Sequence, residues 1–93
     1  MYDIPYFIKK FEAIPECQWG VRAFQRNDGT YCALGHCGCT YGHNTLESEA
    51  LCKIFANNNR SVVCTNDGKE GRGKTPKQRV LQALRSFQRA RRN

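Results

Sequence analysis

Three stretches of this sequence repeat apolar residues at intervals of three and four, and that spacing commits most of the chain to helices packed on a shared core. The first runs through Ile4, Phe7, Ile8 and Phe11, with Asp3 placed to cap it, Pro5 tolerated in its opening turn and Pro15 ending it. The second carries Leu46, Ala50, Leu51, Ile54 and Phe55, opened by Asn44 with Glu47 three residues on and stopped by Asn57, Asn58 and Asn59. The third is the clearest. Thr75-Pro76-Lys77-Gln78 supplies a hydroxyl cap, a proline at the first helical position and a glutamine at the third. Val80, Leu84 and Phe87 form its apolar face, widened by Leu81 and Ala83.

Between the stripes the pattern changes. Trp19 to Gln25 reads as a short extended segment, and Asn27-Asp28-Gly29 favours a turn because Gly29 accepts positive φ. Thr30 to Leu34 then returns as a second strand, unless Cys32 onward is already helical. Residues 35–44 hold Gly35, Gly38, Gly42 and Asn44 and read as irregular, while Ser61 to Thr65 reads as a short buried strand. The expected architecture is mainly α (α+β): a single domain over residues 1–93, of three to four helices with a short β-hairpin or two-stranded sheet. Ninety-three residues make only a small core, so a metal, a second copy or a bound ligand are the available sources of extra stability.

Charge is divided unevenly along the chain. Met1 to Gly68 hold six Lys or Arg and seven Asp or Glu, net −1, whereas Lys69 to Asn93 hold nine Lys or Arg and Glu70 alone, net +8, which together give the overall +7. A nearly neutral body with a concentrated basic end calls for an anionic partner. The candidate anion- or partner-binding residues are Lys69, Arg72 and Lys74 in a Gly-rich loop, and Lys77, Arg85, Arg89 and Arg92 on the helix that follows. Gln78, Gln82, Arg85, Arg89 and Arg92 fall opposite the apolar face, an arrangement that also describes an ordinary solvated helix surface.

Gly68-Lys-Glu-Gly-Arg-Gly-Lys74-Thr75 matches the regular pattern of a phosphate-binding loop, in which glycines turn amides to phosphate, lysine meets the terminal phosphates and the hydroxyl holds magnesium. Val62 and Val63 resemble the strand that precedes such a loop. The surroundings argue against nucleotide hydrolysis: only 18 residues follow Thr75, and no Asp or Glu follows Glu70 to complete a magnesium site. Simple phosphate contact by the loop stays open.

Cys32, His36, Cys37, Cys39 and His43 fall within twelve residues and are the candidate zinc ligands, with Cys52 and Cys64 as distant alternatives. One residue separates Cys37 from Cys39, tighter than the two to four of structural zinc knuckles, and no matching pair follows downstream. Packed, reduced thiols are therefore the favoured reading and no cofactor is expected. Cys37 or Cys39 with His43 is the weaker catalytic alternative, since a nucleophile needs a base within hydrogen-bond reach. There is no apolar run able to cross a bilayer and no signal-peptide pattern at the start, which points to the cytoplasm and to reduced cysteines.

Trp19-Gly20, Asp28-Gly29, Cys32-Ala33-Leu34-Gly35, Asn66-Asp67 and Thr75 before an amphipathic helix together resemble a family of short, uncharacterised bacterial and phage proteins. The resemblance spans roughly residues 4 to 90. It implies a compact, mainly helical fold without an assigned activity, and it places Cys32 as a packed cysteine at a helix start. Cys37, Cys39 and His43 depart from the family pattern and keep zinc open. Structural roles suit the shared residues: Trp19 as a core anchor, Gly20 and Gly35 for close backbone approach, Asp67 as an acceptor of backbone hydrogen bonds.

The expected function is that of a small basic non-enzymatic binding protein: a phage or mobile-element inhibitor that engages an acidic protein surface in a host nucleic-acid-processing or defence complex. Direct DNA or RNA binding through phosphate contacts is the alternative, and a small zinc-stabilised interaction protein is a third. A membrane partner is disfavoured because the apolar face of the last helix is needed by the core, while a homo-oligomer stays open.

Overall fold

A computed structural model describes residues 1–69 and 73–91, so Arg72 and Arg92 lie outside the described residues. Among the described residues, five α-helices carry the fold: α1 Ile4–Glu12, α2 Ala33–His36, α3 Leu46–Asn57, α4 Val62–Asp67 and α5 Pro76–Arg91, with a short 3-10 turn at Glu16–Gln18. Helix α5 lies along α1 and α4, and the short α2 is wedged between α3, α4 and α5. Phe7 and Phe11 of α1, Leu51 and Phe55 of α3 and Val80 and Leu84 of α5 are fully buried at the centre. Ring edges meet faces there, Phe55 on Phe87 at 5.0 Å and Phe11 on Trp19 at 5.2 Å. The apolar stripes read from the sequence therefore face the core, except at Leu46, which stands in the first turn of α3 and is 78% exposed.

The helix starts follow cap chemistry. Asp3 Oδ1 accepts from the Tyr6 amide at 3.0 Å, with Pro5 inside the first turn. Thr75 Oγ1 accepts from the Gln78 amide at 3.1 Å, while the Gln78 side chain reaches back one residue further than a reciprocal box would, to the Lys74 amide at 3.0 Å. The start of α3 lies one residue beyond the Asn44–Glu47 pairing expected from sequence. Thr45 and Ser48 form the capping box, each side chain 3.0 Å from the other's amide nitrogen. Asn44 instead accepts from the Cys39 thiol, and Glu47 turns to α1, where it accepts from the Tyr6 hydroxyl at 2.9 Å and pairs with Lys10.

One expected strand and the expected hairpin are corrected. Ser61 to Thr65 is helical: Ser61 caps α4 by accepting from the Cys64 amide, and Gly68 ends it at φ 91°, where the Lys69 amide donates back to Cys64 O at 2.8 Å. Val62, Thr65 and Asn66 are its buried residues, at helical spacing, so β-branched composition is overruled by caps and packing. The expected hairpin is likewise absent among the described residues. Trp19 and Gln25 each meet Tyr31 through an isolated bridge, without a ladder between them. The reason lies at Arg22, which adopts φ 70° and gives its amide to the Asp67 carboxylate at 3.1 Å rather than to a neighbouring strand. The Asn27-Asp28-Gly29 turn is present, with Gly29 at φ 85° and Asp28 accepting from the amide and hydroxyl of Thr30. Cys32 takes the cap position of α2, so the return segment is helical from Ala33.

Candidate anion-binding edge and the polar node beside it

The basic residues divide into those that hold the fold together and those left free. Lys77 Nζ donates to the Glu12 carbonyl at 3.1 Å, and Arg85 forms an ion pair with the Glu12 carboxylate, so both fasten α5 to the end of α1. The Thr75 hydroxyl donates to Glu16 Oε1 at 3.0 Å and continues the same seam. Arg79, not among the sequence candidates, serves the fold as well. Its guanidinium donates to Thr65 O at 3.1 Å and Asn66 O at 2.7 Å in the last turn of α4, and to Gly73 O at 3.4 Å in the loop before α5. A cation opposite a helix C-terminus also meets the negative end of its dipole. Nothing in the spacing of α5 alone reveals that role, because the helix it caps reads as a strand.

Lys69, Lys74 and Arg89 remain. All three are exposed, and their side chains make no hydrogen bond or ion pair among the described residues. Lys74 precedes α5 and Arg89 stands near its far end, so the two lie about 22 Å apart along the helix direction at about 1.5 Å per residue. Glu12 and Glu16 lie on the same seam, so negative groups are interleaved with the positive ones.

The phosphate-loop pattern takes on local structural work at its ends. Gly68 is the left-handed end of α4, Val62 and Val63 are helical, and the Thr75 hydroxyl is committed to Gln78 and Glu16. The parallel sheet that such a loop requires is absent among the described residues.

The cysteine and histidine candidates separate in the same way. Cys32 sits at the start of α2, Cys37 at its end, and the buried Cys39 thiol donates to Asn44 Oδ1 at 3.3 Å. His36 places Nε2 3.1 Å from Gln18 O, with its ring 4.9 Å from that of Trp19 and 5.4 Å from that of Tyr31. The described residues contain no group of three or more His, Cys, Asp or Glu able to hold a metal. Burial, reinforced by the Glu47 charge, pushes the Cys37 thiol up to about 12, which leaves it a poor nucleophile near neutrality. Burial also raises the thiols of Cys32 and Cys52.

Burial lowers the His36 imidazole from its ordinary value of 6.5, with the Lys10 charge adding to the effect. A folded imidazole that binds its proton less tightly than the unfolded one favours the unfolded chain once protons are available. The stabilising contribution is thus complete above the unfolded value and declines as pH falls through and below it. Urea midpoints should drop between about pH 7.5 and pH 5.5, and His36→Gln should drop less over the same interval. An identical slope in both proteins would exclude His36 as the source.

Around Asn66 the structure gathers most of the short motifs. Asn66 is completely buried; its Oδ1 accepts from the Ala33 amide at 3.1 Å, and its Nδ2 donates to Gly20 O at 2.9 Å and to Asp67 Oδ1 at 3.1 Å. Asp67 accepts the Arg22 amide on the same oxygen. Trp19-Gly20, Cys32-Ala33-Leu34-Gly35 and Asn66-Asp67 are therefore parts of one polar node that joins the loop after α1 to α2 and α4. Compared with known proteins, the chain matches no protein-family model, no curated protein and no solved structure.

Proposed function

We propose that this chain is a small non-enzymatic binding protein that engages an acidic protein surface in a nucleic-acid-processing complex through the α5 edge. The observation that carries the reading is the set of exposed cations at the basic end whose side chains have no partner among the described residues: Lys69, Lys74 and Arg89. Positive charges at the two ends of α5, with Glu12 and Glu16 between them, suit the separated carboxylates of an acidic protein surface better than a continuous phosphate backbone. The raised Cys37 thiol and the carbonyl-bound His36 support a role other than catalysis. The resemblance to short bacterial and phage proteins carries no activity of its own; taken with a phage or mobile-element origin, the reading extends to an inhibitor of a host defence complex, acting in the cytoplasm. The six cysteines are all unpaired, and no helix among the described residues is long and apolar enough to cross a membrane.

Affinity capture from nuclease-treated host extract tests this directly. One saturable protein partner is expected, lost when Lys69, Lys74 and Arg89 are all changed to Glu while the circular dichroism spectrum is kept. Equal recovery by the triple variant would overturn the assignment of the edge. Capture of no protein, together with binding of a labelled DNA duplex, would replace the reading with direct nucleic-acid contact. Three phosphate contacts would then lose about 40-fold in affinity between 50 and 200 mM salt.

A further inference from the structure

On the side of α4 that carries Val63, a cavity of about 140 Å³ opens between Arg22, Phe24, Cys32, Tyr41, Val63 and Asp67. A dry cavity of about 150 Å³ is large enough for benzene, so this one accommodates a single aliphatic or aromatic side chain. Its walls are largely apolar. The Phe24 and Tyr41 rings lie 4.9 Å apart at 56°, and Tyr41 and Val63 remain 76% and 47% exposed. An open apolar recess with a few polar groups at its rim has the composition of a small-ligand site, on a scale that suits one side chain.

Two opposite charges stand at this cavity with capacity to spare. Asp67 Oδ1 accepts from the Arg22 amide and from Asn66 Nδ2, but Oδ2 takes no hydrogen bond among the described residues. The Arg22 side chain is exposed, and its guanidinium has neither hydrogen bond nor ion pair among the described residues. Arg22 is also held at φ 70°, a conformation unfavourable for a residue with a Cβ, by its amide contact to that same carboxylate. The node thus fixes the Asp67 carboxylate and the Arg22 backbone beside one apolar recess, and leaves the guanidinium free to meet a ligand there.

We propose that this cavity binds a small zwitterion, an α-amino acid with an apolar side chain, placing its ammonium on Asp67, its carboxylate on Arg22 and its side chain between Phe24, Tyr41 and Val63. A cation alone would meet repulsion from Arg22, and an anion alone would meet it from Asp67. A zwitterion satisfies both. The site is separate from the α5 edge and does not depend on the partner proposed for it.

Titration of the ¹⁵N-labelled full chain with L-leucine tests the proposal. Saturable amide shifts are expected at Arg22, Phe24, Val63 and Asp67. N-acetyl-leucine, which lacks the ammonium, and leucine amide, which lacks the carboxylate, should each bind at least about tenfold more weakly, as expected for losing a hydrogen bond to a charged group. Arg22→Gly keeps the backbone amide and suits the positive φ, so it should fold and lose only the preference for leucine over leucine amide. Absence of saturable shifts with leucine, valine and phenylalanine would overturn the site. Equal binding of leucine and either derivative would overturn the assignment of the two charges.

Discussion

Gly35→Ala is expected to cost about 3 kcal/mol or more, enough to leave a domain of this size largely unfolded. A Cβ at position 35 would lie 1.9 Å from the Phe24 carbonyl oxygen and 2.8 Å from its carbon. Both are backbone atoms, so no rotamer change relieves the contact. Either α2 shifts, which disturbs Ala33 and Leu34 in the core, or the loop carrying Phe24 is pushed outward. Gly29→Ala is the matching control. Its Cβ meets nothing within 4 Å, and the remaining penalty is the φ of 85°, worth about 1 kcal/mol. Urea denaturation followed by circular dichroism separates the two. A Gly35→Ala protein as stable as Gly29→Ala would mean that α2 and the Phe24 loop are not in firm contact.

Asn66→Ala should be comparably damaging, at about 2–5 kcal/mol, through unmet hydrogen bonds rather than a clash. The buried side chain serves the Ala33 amide and the Gly20 carbonyl at once, and its removal leaves both without their partner in a region closed to water. Asn66→Leu fills similar space but should not rescue stability, because neither backbone group regains a bond. Asn66→Asp keeps the acceptor for Ala33, loses the donor to Gly20 and buries a charge beside Asp67, so it should also be destabilised at neutral pH. Faster hydrogen exchange at Ala33 in the Ala and Leu variants than in Asn66→Asp would locate the loss. Wild-type stability in Asn66→Leu would overturn the role of the node.

Helical periodicity was legible wherever an apolar stripe ran for about two turns or more, as in Ile4 to Phe11, Leu46 to Phe55 and Val80 to Phe87. Such stripes report burial, and burial sets these helices. The α4 segment was not legible in the same way. Six residues are too few to show a period, and Val62, Val63 and Thr65 carry strand propensity, so only Ser61 and Gly68 marked its ends. The hairpin failed for a reason no local pattern contains: the Arg22 amide is claimed by a side chain 45 residues away. Much the same holds for the basic end. Its excess charge was plain from composition, but the division into fastening residues (Lys77, Arg79, Arg85) and free ones (Lys69, Lys74, Arg89) depends on where α1 and α4 come to lie. Arg79 could have been suspected only if α4 had first been recognised as a helix needing a C-terminal partner.

Helix α5 contributes Val80, Leu84 and Phe87 to the core, carries Arg89 near its far end and follows directly on Lys74, so the charged edge exists only in the folded protein. Recognition and folding are consequently linked by mass action. A partner that holds this edge in its folded geometry stabilises the whole domain, by about 2.7 kcal/mol at a concentration one hundred times its Kd. The melting temperature of the entire chain therefore acts as a gauge of occupancy at one helix, and it can be read before the partner's identity is known.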